Sequence, residues 1–339
     1  MRVLVTGARG FVGSNLCEAL GAIRDGRDRR GRFRPLLPLE VMECDVETTA
    51  DELDGMCAKA DFVFNLAGVN RPKDPAEFMA GNFGFASDLL AALERHGNAC
   101  PVMLSSSAQA SLAGRYAGSA YGESKLTGER LFREYSGRTG APVLIYRFPN
   151  LYGKWCRPNY NSAVATFCDA IANGRPYTVS DPSVELELLY IDDLVSEMLS
   201  ALLGEERRCG YDGLVEVEGD EFCACSPTDR ATLGEIVSLL ESFGASREGL
   251  MVPDLADGSL SKKLWSTFES YYAEGSRAYP LKPNRDARGS FTEFLCTPER
   301  GQVSINVSKP GITKGNHWHN SKWEQIGRAS CRERVSSPV

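Results

Sequence analysis

Val3-Leu4-Val5-Thr6-Gly7-Ala8-Arg9-Gly10-Phe11-Val12-Gly13 opens the chain with β-forming residues, then three glycines at even spacing, then a helix-patterned run. A buried strand that passes through Gly-x-x-Gly-x-x-Gly into a helix is a phosphate-binding βα junction. Gly7 permits the tight turn, Gly10 lets backbone approach a pyrophosphate, and Gly13 allows close packing of helix on sheet. The first helical residues, Phe11 and Val12, lie where free N–H groups meet an anion. Gly7, Gly10, Phe11, Val12 and Gly13 are therefore the first cofactor-binding candidates.

Outward from this junction the pattern repeats. Residues 3–6, 62–66, 102–106 and 143–147 read as buried parallel strands, and 11–20, 75–95, 120–138 and 163–172 as helices. Such alternation implies an α/β fold, a Rossmann-type doubly wound parallel sheet with a small substrate domain. Arginine-rich residues 21–35 lack periodicity and read as a loop. Thr232-x-x-Glu235 has the spacing of a capping box at the start of a second helical hairpin. The domain reading is 1–245 for the α/β body, 246–283 for a linker, 284–326 for an incomplete all-β segment and 327–339 for a non-native tail.

The 339 residues carry a net charge of -7, which argues against general binding of nucleic acid or acidic membrane. No apolar run approaches the roughly 18 residues that a membrane span needs. Eleven cysteines are scattered, and Met1-Arg2 leads straight into a strand without a secretory signal. Free thiols in a reducing cytoplasm are expected.

Tyr121-Gly122-Glu123-Ser124-Lys125 opens a predicted helix, and a spacing of four puts Tyr121 and Lys125 on one face. A phenol of ordinary pKa about 10 is a poor acid–base at neutral pH, and a neighbouring ammonium stabilises its phenolate. The pair can then exchange a proton with a substrate oxygen while hydride moves to or from a nicotinamide. Asp45, at the end of the predicted second strand, has two open readings. It can accept a ribose 2′-hydroxyl, or it can cap a helix beginning near Ala50. The arginines before it could instead receive a 2′-phosphate.

The glycine spacing, Asn65-Leu66-Ala67-Gly68 and Tyr121-x-x-x-Lys125 together resemble the extended short-chain dehydrogenase/reductases. That resemblance implies that Leu66, Ala67 and Gly68 line the cofactor crevice and that Ser107, in Ser105-Ser106-Ser107, orients the substrate oxygen. Arg147-Phe148-Pro149-Asn150-Leu151-Tyr152-Gly153 is similar to a segment that passes near nicotinamide and sugar. It adds Pro149 and Asn150 to the cofactor candidates, and Arg147 and Asn150 to the substrate candidates. The polar loop that follows contributes Lys154, Arg157, Asn159 and Asn161. Tyr190-Ile191-Asp192-Asp193 resembles the start of a helix behind the substrate site, or simply supplies an N-cap.

Toward the carboxyl end, Gly311-x5-His317-x-His319-x4-Glu324 resembles the first cupin motif. Alternation on a strand aims both imidazoles at one metal. Asp286-x-Arg288-Gly289-x-Phe291-x-Glu293 is similar to a deoxysugar 3,5-epimerase motif, except that Phe294 directly follows Glu293. Arg288-Gly289 also reads as a hairpin turn. Cys331 stands where the cupin pattern expects glycine, and the second cupin motif is absent, so the sequence reads as broken near Ile326.

Taken together, the chain resembles the bifunctional reductase/epimerases of bacterial capsular-polysaccharide synthesis, which form UDP-2-acetamido-2,6-dideoxy-β-L-talose. The resemblance implies reduction at C4 of a UDP-4-keto-6-deoxy-N-acetyl-hexose, coupled to C3 epimerisation by the cupin. The partner implied is a UDP-linked amino-deoxy-sugar, and the assembly a homodimer. It also implies NADPH, while Asp45 leans toward NADH; NADP(H) is favoured slightly over NAD(H). Zinc belongs to the intact cupin, and with only His317, His319 and Glu324 present, weak or no zinc binding is expected here. The alternatives are a UDP-sugar 4-epimerase, disfavoured by the appended cupin, and a non-catalytic dinucleotide-sensing protein, which has no need of Tyr121 and Lys125. A 4,6-dehydratase would carry an acidic pair where Ala108-Gln109 stand.

Overall fold

A computed structural model describes residues 1–28, 31–69, 79–297 and 301–313. The chain divides into two compact units, Met1–Tyr279 and Pro280–Val339.

In the first unit β1 (Arg2–Thr6) runs into α1 (Phe11–Arg24), followed by β2 (Glu40–Cys44), α2 (Ala50–Cys57) and β3 (Phe62–Asn65). After a π-helical turn at Met79–Gly84 come α3 (Phe85–Arg95), β4 (Val102–Ser107), α4 (Ala120–Thr139) and β5 (Val143–Phe148). The strands β1 to β5 are parallel, with spatial order β2-β1-β3-β4-β5. They read as nearly continuous apolar runs because both faces are covered. Val3, Val5, Phe62, Phe64, Met103 and Leu144 feed one core, shared with Leu16 and Leu20 of α1. Leu4, Val63, Val102, Leu104 and Ile145 feed the other, against Leu89 and Leu93 of α3 and Phe132 of α4. From β1 the chain moves outward to β2 and then crosses to β3 on the other side. That reversal leaves a crevice at the carboxyl ends of β1 and β3.

Next come β6 (Asn150–Tyr152), α5 (Ala163–Ala172), β7 (Glu185–Tyr190) and α6 (Ile191–Leu202). An antiparallel hairpin, β8 (Arg208–Asp212) with β9 (Val215–Cys223), then extends the main sheet beside β5. No sequence signal had marked it. The unit closes with β10 (Asp229–Thr232), α7 (Leu233–Ser246) and α8 (Leu260–Glu269). The strands β10-β7-β6 form a small sheet of their own. Its core joins Tyr152, Leu188, Phe167, Ile236, Leu240 and Phe243 to Leu264 and Phe268 of α8.

Three expectations are corrected. The helix α1 runs on to Arg24, into the stretch read as loop, because Ile23 continues its buried face. The helix expected over 75–95 is α-helical only from Phe85, after the π turn; residues 70–78 lie outside the described residues. The stretch 246–283 is not a bare linker. It contains α8, capped by Ser259, whose Leu264 and Phe268 are fully buried, and the compact unit reaches Tyr279. The capping box read at Thr232 and Glu235 is formed.

The second unit contains an antiparallel sheet of β11 (Asn284–Asp286), β12 (Gly289–Thr297) and β13 (Gly301–Ser308). Asp286 accepts the N–H groups of Arg288 and Gly289 and pairs with the Arg288 side chain at 2.7 Å, so Arg288-Gly289 does form a hairpin turn. Gly289 is required there: its φ is +143°, and a Cβ would lie 1.9 Å from the Val307 carbonyl oxygen. The pairing with β13 shifts register between Glu293 and Leu295. Phe294, the residue that departs from the epimerase motif, is thus the extra residue of a β-bulge. The candidate metal ligands His317, His319 and Glu324 lie outside the described residues. Among the described residues no three His, Cys, Asp or Glu side chains gather as a metal would need. The ten cysteines among them are all free thiols, and none of the helices there is long and apolar enough to cross a membrane.

Candidate active site

The glycine loop forms a backbone cradle at the mouth of the crevice. Gly7 has φ +65°, and a Cβ on it would sit 2.9 Å from the Ala67 nitrogen, while one on Gly13 would sit 2.2 Å from the Gly7 oxygen. The Gly10 N–H donates to the Gly7 carbonyl at 2.9 Å and closes the turn. The helix α1 begins without a side-chain cap and without an acidic residue in its first turn. Its leading N–H groups at Phe11 and Val12 and its positive dipole end are therefore left for an anion. This cradle fits a dinucleotide pyrophosphate. The buried Thr6 hydroxyl ties the two strand ends together: it donates to Asn65 Oδ1 at 2.9 Å and accepts the N–H groups of Leu66 and Ala67, each at 3.2 Å. Gly68 follows, exposed.

Asp45 ends β2, the strand beside β1, where a carboxylate meets a ribose. It does not cap α2; Thr49 does, in a capping box with Glu52. The Asp45 oxygens instead accept the backbone N–H groups of Arg9 at 2.6 Å and Val46 at 2.7 Å. The Arg9 guanidinium stands beside it, paired at 2.5 Å with Glu47 in an exposed bridge. Arg24, Arg27 and Arg32 of the arginine-rich stretch pair with Asp25, Glu18 and Glu205.

Tyr121, Lys125 and Ser107 converge at the carboxyl end of β4. The Lys125 ammonium lies 5.7 Å from the centre of the Tyr121 ring and donates to the Ser105 carbonyl at 2.9 Å. Burial pushes Tyr121 up to about 12, opposed by a hydrogen bond with Ser107 and aided by the nearby Tyr160 phenol. Burial also pushes Lys125 down to about 8, against the pull of Glu129. At neutral pH the tyrosine is thus a protonated phenol beside an ammonium group. The start of α4 is fixed against the turn after β4 by Ser119, which accepts the Gly122 N–H at 3.0 Å and donates to Gln109 Oε1 at 2.9 Å. A Cβ on Gly122 would come within 2.3 Å of the Gln109 carbonyl oxygen, so glycine beside Tyr121 is what allows this approach.

Beyond β6, residues 153–161 carry Lys154, Arg157, Asn159 and Asn161. Gly153, Trp155 and Asn159 have φ of +146°, +67° and +55°, a concentration of strained backbone of the kind found at ligand sites. The Tyr271 hydroxyl donates to the Cys156 carbonyl, and Asn15 donates to the Lys154 carbonyl at 3.2 Å. Lys154 stacks on Trp155 and faces Asp192 at 3.8 Å. Arg157 stacks on Tyr160, whose phenol is near enough to Tyr121 to help raise its pKa. Asn159 and Asn161 are exposed.

Two other candidates face elsewhere. Arg147, two residues after Ile145, shares its face on the α4 side of the sheet and makes a bidentate pair with Glu129, at 2.9 and 2.7 Å. Its guanidinium is thereby withdrawn from any substrate, which corrects its reading as a sugar ligand. The Asn150 amide donates to the Glu187 carbonyl at 2.9 Å and joins β6 to β7, with Pro149 just before it. Asp193 caps nothing; it pairs with Lys263 of α8 at 3.0 Å, and Lys263 also holds Asp229 at 2.7 Å.

The NAD dependent epimerase/dehydratase model matches residues 3–209, more than half of the chain. The chain belongs to that family. It is an NAD(P)-dependent oxidoreductase. A second model, the polysaccharide biosynthesis C-terminal domain, matches residues 284–334, starting where the all-β segment was placed and running past its expected end at 326. A UDP-2-acetamido-2,6-beta-L-arabino-hexul-4-ose reductase of Pseudomonas aeruginosa is 37% identical over 326 residues, 96% of this chain and 80% of the relative. The crystal structure of the capsular polysaccharide assembling protein CapF from Staphylococcus aureus is similar with a TM-score of 0.78 and 44% identity, over 95% of this chain and 79% of that one. A UDP-glucuronic acid 4-epimerase of Bacillus cereus, solved with NAD, shares the fold with a TM-score of 0.59 at 21% identity, over 80% of this chain and 99% of that one.

Sequence reading passed over Thr6, Ser119, Gln109, Glu129 and Tyr271 as parts of the site. Thr6 and Ser119 stood beside motifs and could have been found as a strand end and an N-cap. Nothing in the sequence joins Tyr271 to residues more than a hundred positions earlier.

Proposed function

We propose that this protein reduces C4 of a UDP-4-keto-6-deoxy-N-acetyl-hexose with NAD(P)H during synthesis of a surface-polysaccharide precursor, capsule or O-antigen. The observation that carries the reading is the geometry of the acid pair: a buried Tyr121 hydrogen-bonded with Ser107, with the Lys125 amino group 5.7 Å from its ring centre and bonded to the Ser105 carbonyl. A phenol held protonated suits donation to a ketone oxygen. The reverse oxidation would need its phenolate. The Pseudomonas relative, named as a reductase of a UDP-linked hexul-4-ose, supports the same direction and substrate class.

Gly7, Gly10, Gly13 and the N–H groups of Phe11 and Val12 would hold the pyrophosphate of a reduced nicotinamide cofactor, which would supply the hydride for C4. Ser107 orients the C4 oxygen, Tyr121 gives it the phenolic proton, and Lys125 stabilises the phenolate left behind. Lys154, Arg157, Asn159 and Asn161 hold the nucleotide sugar, whose diphosphate suits the two cations. The ordinary coenzyme in this reading is NADPH. Arg9 takes the 2′-phosphate in place of the Arg24–Arg34 stretch, because its backbone N–H bonds to Asp45 and its exposed guanidinium can exchange Glu47 for the phosphate. The reading extends to a cytoplasmic homodimer forming the talose-configured product. The cupin segment with its zinc ligands epimerises C3 in the intact family.

The test incubates the purified chain with a UDP-4-keto-6-deoxy-N-acetyl-hexose and follows consumption of NADPH or NADH at equal concentration. Stoichiometric oxidation of coenzyme with a 4-hydroxy product is expected. Interconversion of 4-hydroxy epimers on tightly retained NAD, without net oxidation, would make the protein a 4-epimerase instead. Coenzyme binding with no turnover would make it a sensor.

A further inference from the structure

We propose that Glu129 is a positioning residue for the reduction: braced by Arg147, its carboxylate keeps Lys125 an ammonium ion beneath Tyr121. The inference rests on the Tyr121–Lys125 reading above.

Tyr121, Lys125 and Glu129 follow one another at intervals of four along one face of α4. Two successive residues of β4 receive them: Lys125 donates to the Ser105 carbonyl at 2.9 Å, and Ser106 donates to Glu129 Oε1 at 2.6 Å. Glu129 is 1% exposed and Lys125 8%. Behind the carboxylate, Arg147 of β5 closes a bidentate pair, and its guanidinium is stacked 4.2 Å from the Phe222 ring centre and 5.6 Å from that of Tyr211.

A buried ion pair of this kind is a poor device for stability alone, because well-packed apolar residues do as well or better. Its placement one turn below Lys125 suggests another use. Lys125 is buried and has a neutral carbonyl as its bonded partner, so burial works against its charge. Of the elements around it, β4 presents only serines, and the 153–161 loop presents Tyr160 to Tyr121. The helix α4 itself presents Tyr121 and Glu129, and β5 presents Arg147 by way of Glu129. Glu129 is the carboxylate that helical spacing and the successive bonds to Ser105 and Ser106 bring next to Lys125, and a negative charge there favours the protonated amine. Without Glu129, burial would be unopposed and Arg147 would add a bare positive charge nearby.

The test is the pH dependence of kcat in the parent, in Glu129→Gln and in the Glu129→Gln/Arg147→Met double variant. The parent should lose activity above about pH 8, where Lys125 deprotonates. In E129Q that basic limb should fall by about one pH unit, giving about a fivefold loss at pH 8 and nearly parental turnover at pH 6. The double variant, relieved of the bare guanidinium, should show a smaller downward shift. A limb that stays at the parental pH in the folded variants overturns the proposal, because a merely structural role would lower kcat equally at every pH. If E129Q does not fold, the double variant decides; if neither folds, the pair is a folding device and the proposal fails. Should the parent reduce no 4-keto sugar, the functional reading fails separately. Titration of Lys125 by NMR of 13Cε-labelled lysine, with its signal assigned by Lys125→Met, then decides in parent and variants alike.

Discussion

At Tyr121 burial, aided by the Tyr160 phenol, outweighs the Ser107 hydrogen bond and pushes the phenol up to about 12, so that it is protonated at neutral pH. A general acid of this kind contributes about 10²- to 10⁴-fold to rate. Tyr121→Phe should therefore cut reduction by at least about 100-fold while dinucleotide affinity, measured by calorimetry, stays within about twofold. Turnover near the parental rate would move the proton donor elsewhere. At the opposite end of the crevice, Arg9 sits in an exposed bridge to Glu47 that contributes little to stability. Arg9→Ser should raise KM for NADPH about tenfold and leave KM for NADH unchanged. Equal effects on both coenzymes would remove Arg9 from 2′-phosphate recognition. Tyr121 and Lys125 were legible in the sequence because helical periodicity fixes residues four apart on one face. Arg147 was misread for the converse reason: its partner Glu129 belongs to another element, and only their meeting shows which way the guanidinium points.

Among the elements, the strained loop after β6 depends on segments distant in sequence. The Tyr271 hydroxyl, just past α8, bonds to the Cys156 carbonyl, and α8 is anchored by Lys263 between Asp193 and Asp229. A buried hydrogen bond contributes about 1 kcal/mol to stability, which the fold can lose. Its removal should tell on the loop first. For Tyr271→Phe we expect KM for the nucleotide sugar to rise about five- to tenfold, with KM for NADPH within twofold and a thermal midpoint a few degrees lower. A change in kcat alone would place Tyr271 outside substrate positioning. The helix α8 went unread because its apolar residues, Leu260, Leu264 and Phe268, form a narrow stripe flanked by Pro- and Gly-containing stretches. Such a stripe is a weak signal until a partner core covers it.

For the whole molecule, the unit Met1–Tyr279 contains all three apolar clusters together with the glycine loop and the acid pair. A chain ending at residue 279 should fold, bind dinucleotide with parental affinity and melt within about 3 °C of that unit's transition in the full chain. Loss of dinucleotide binding would show that residues 280–339 are needed for the first unit to stand.

The sequence alone determined the doubly wound sheet, the glycine turn into α1 and the placing of Tyr121 and Lys125 on one helix face. Each is written in local periodicity: alternation of strand and helix, glycines three apart, a tyrosine and lysine one helical turn apart. Gly7 and Gly13 were legible because their positions are dictated by backbone contacts within a single βα junction. Tertiary structure alone decided that Asp45 bonds to the Arg9 N–H, that Arg147 faces Glu129, and that residues 246–279 pack into the substrate domain. Those outcomes depend on side chains brought together from 18 to more than 100 positions apart. Local propensity carries no record of such pairings, because they come into being only when buried charges and hydrogen-bonding groups must find partners in the closed core.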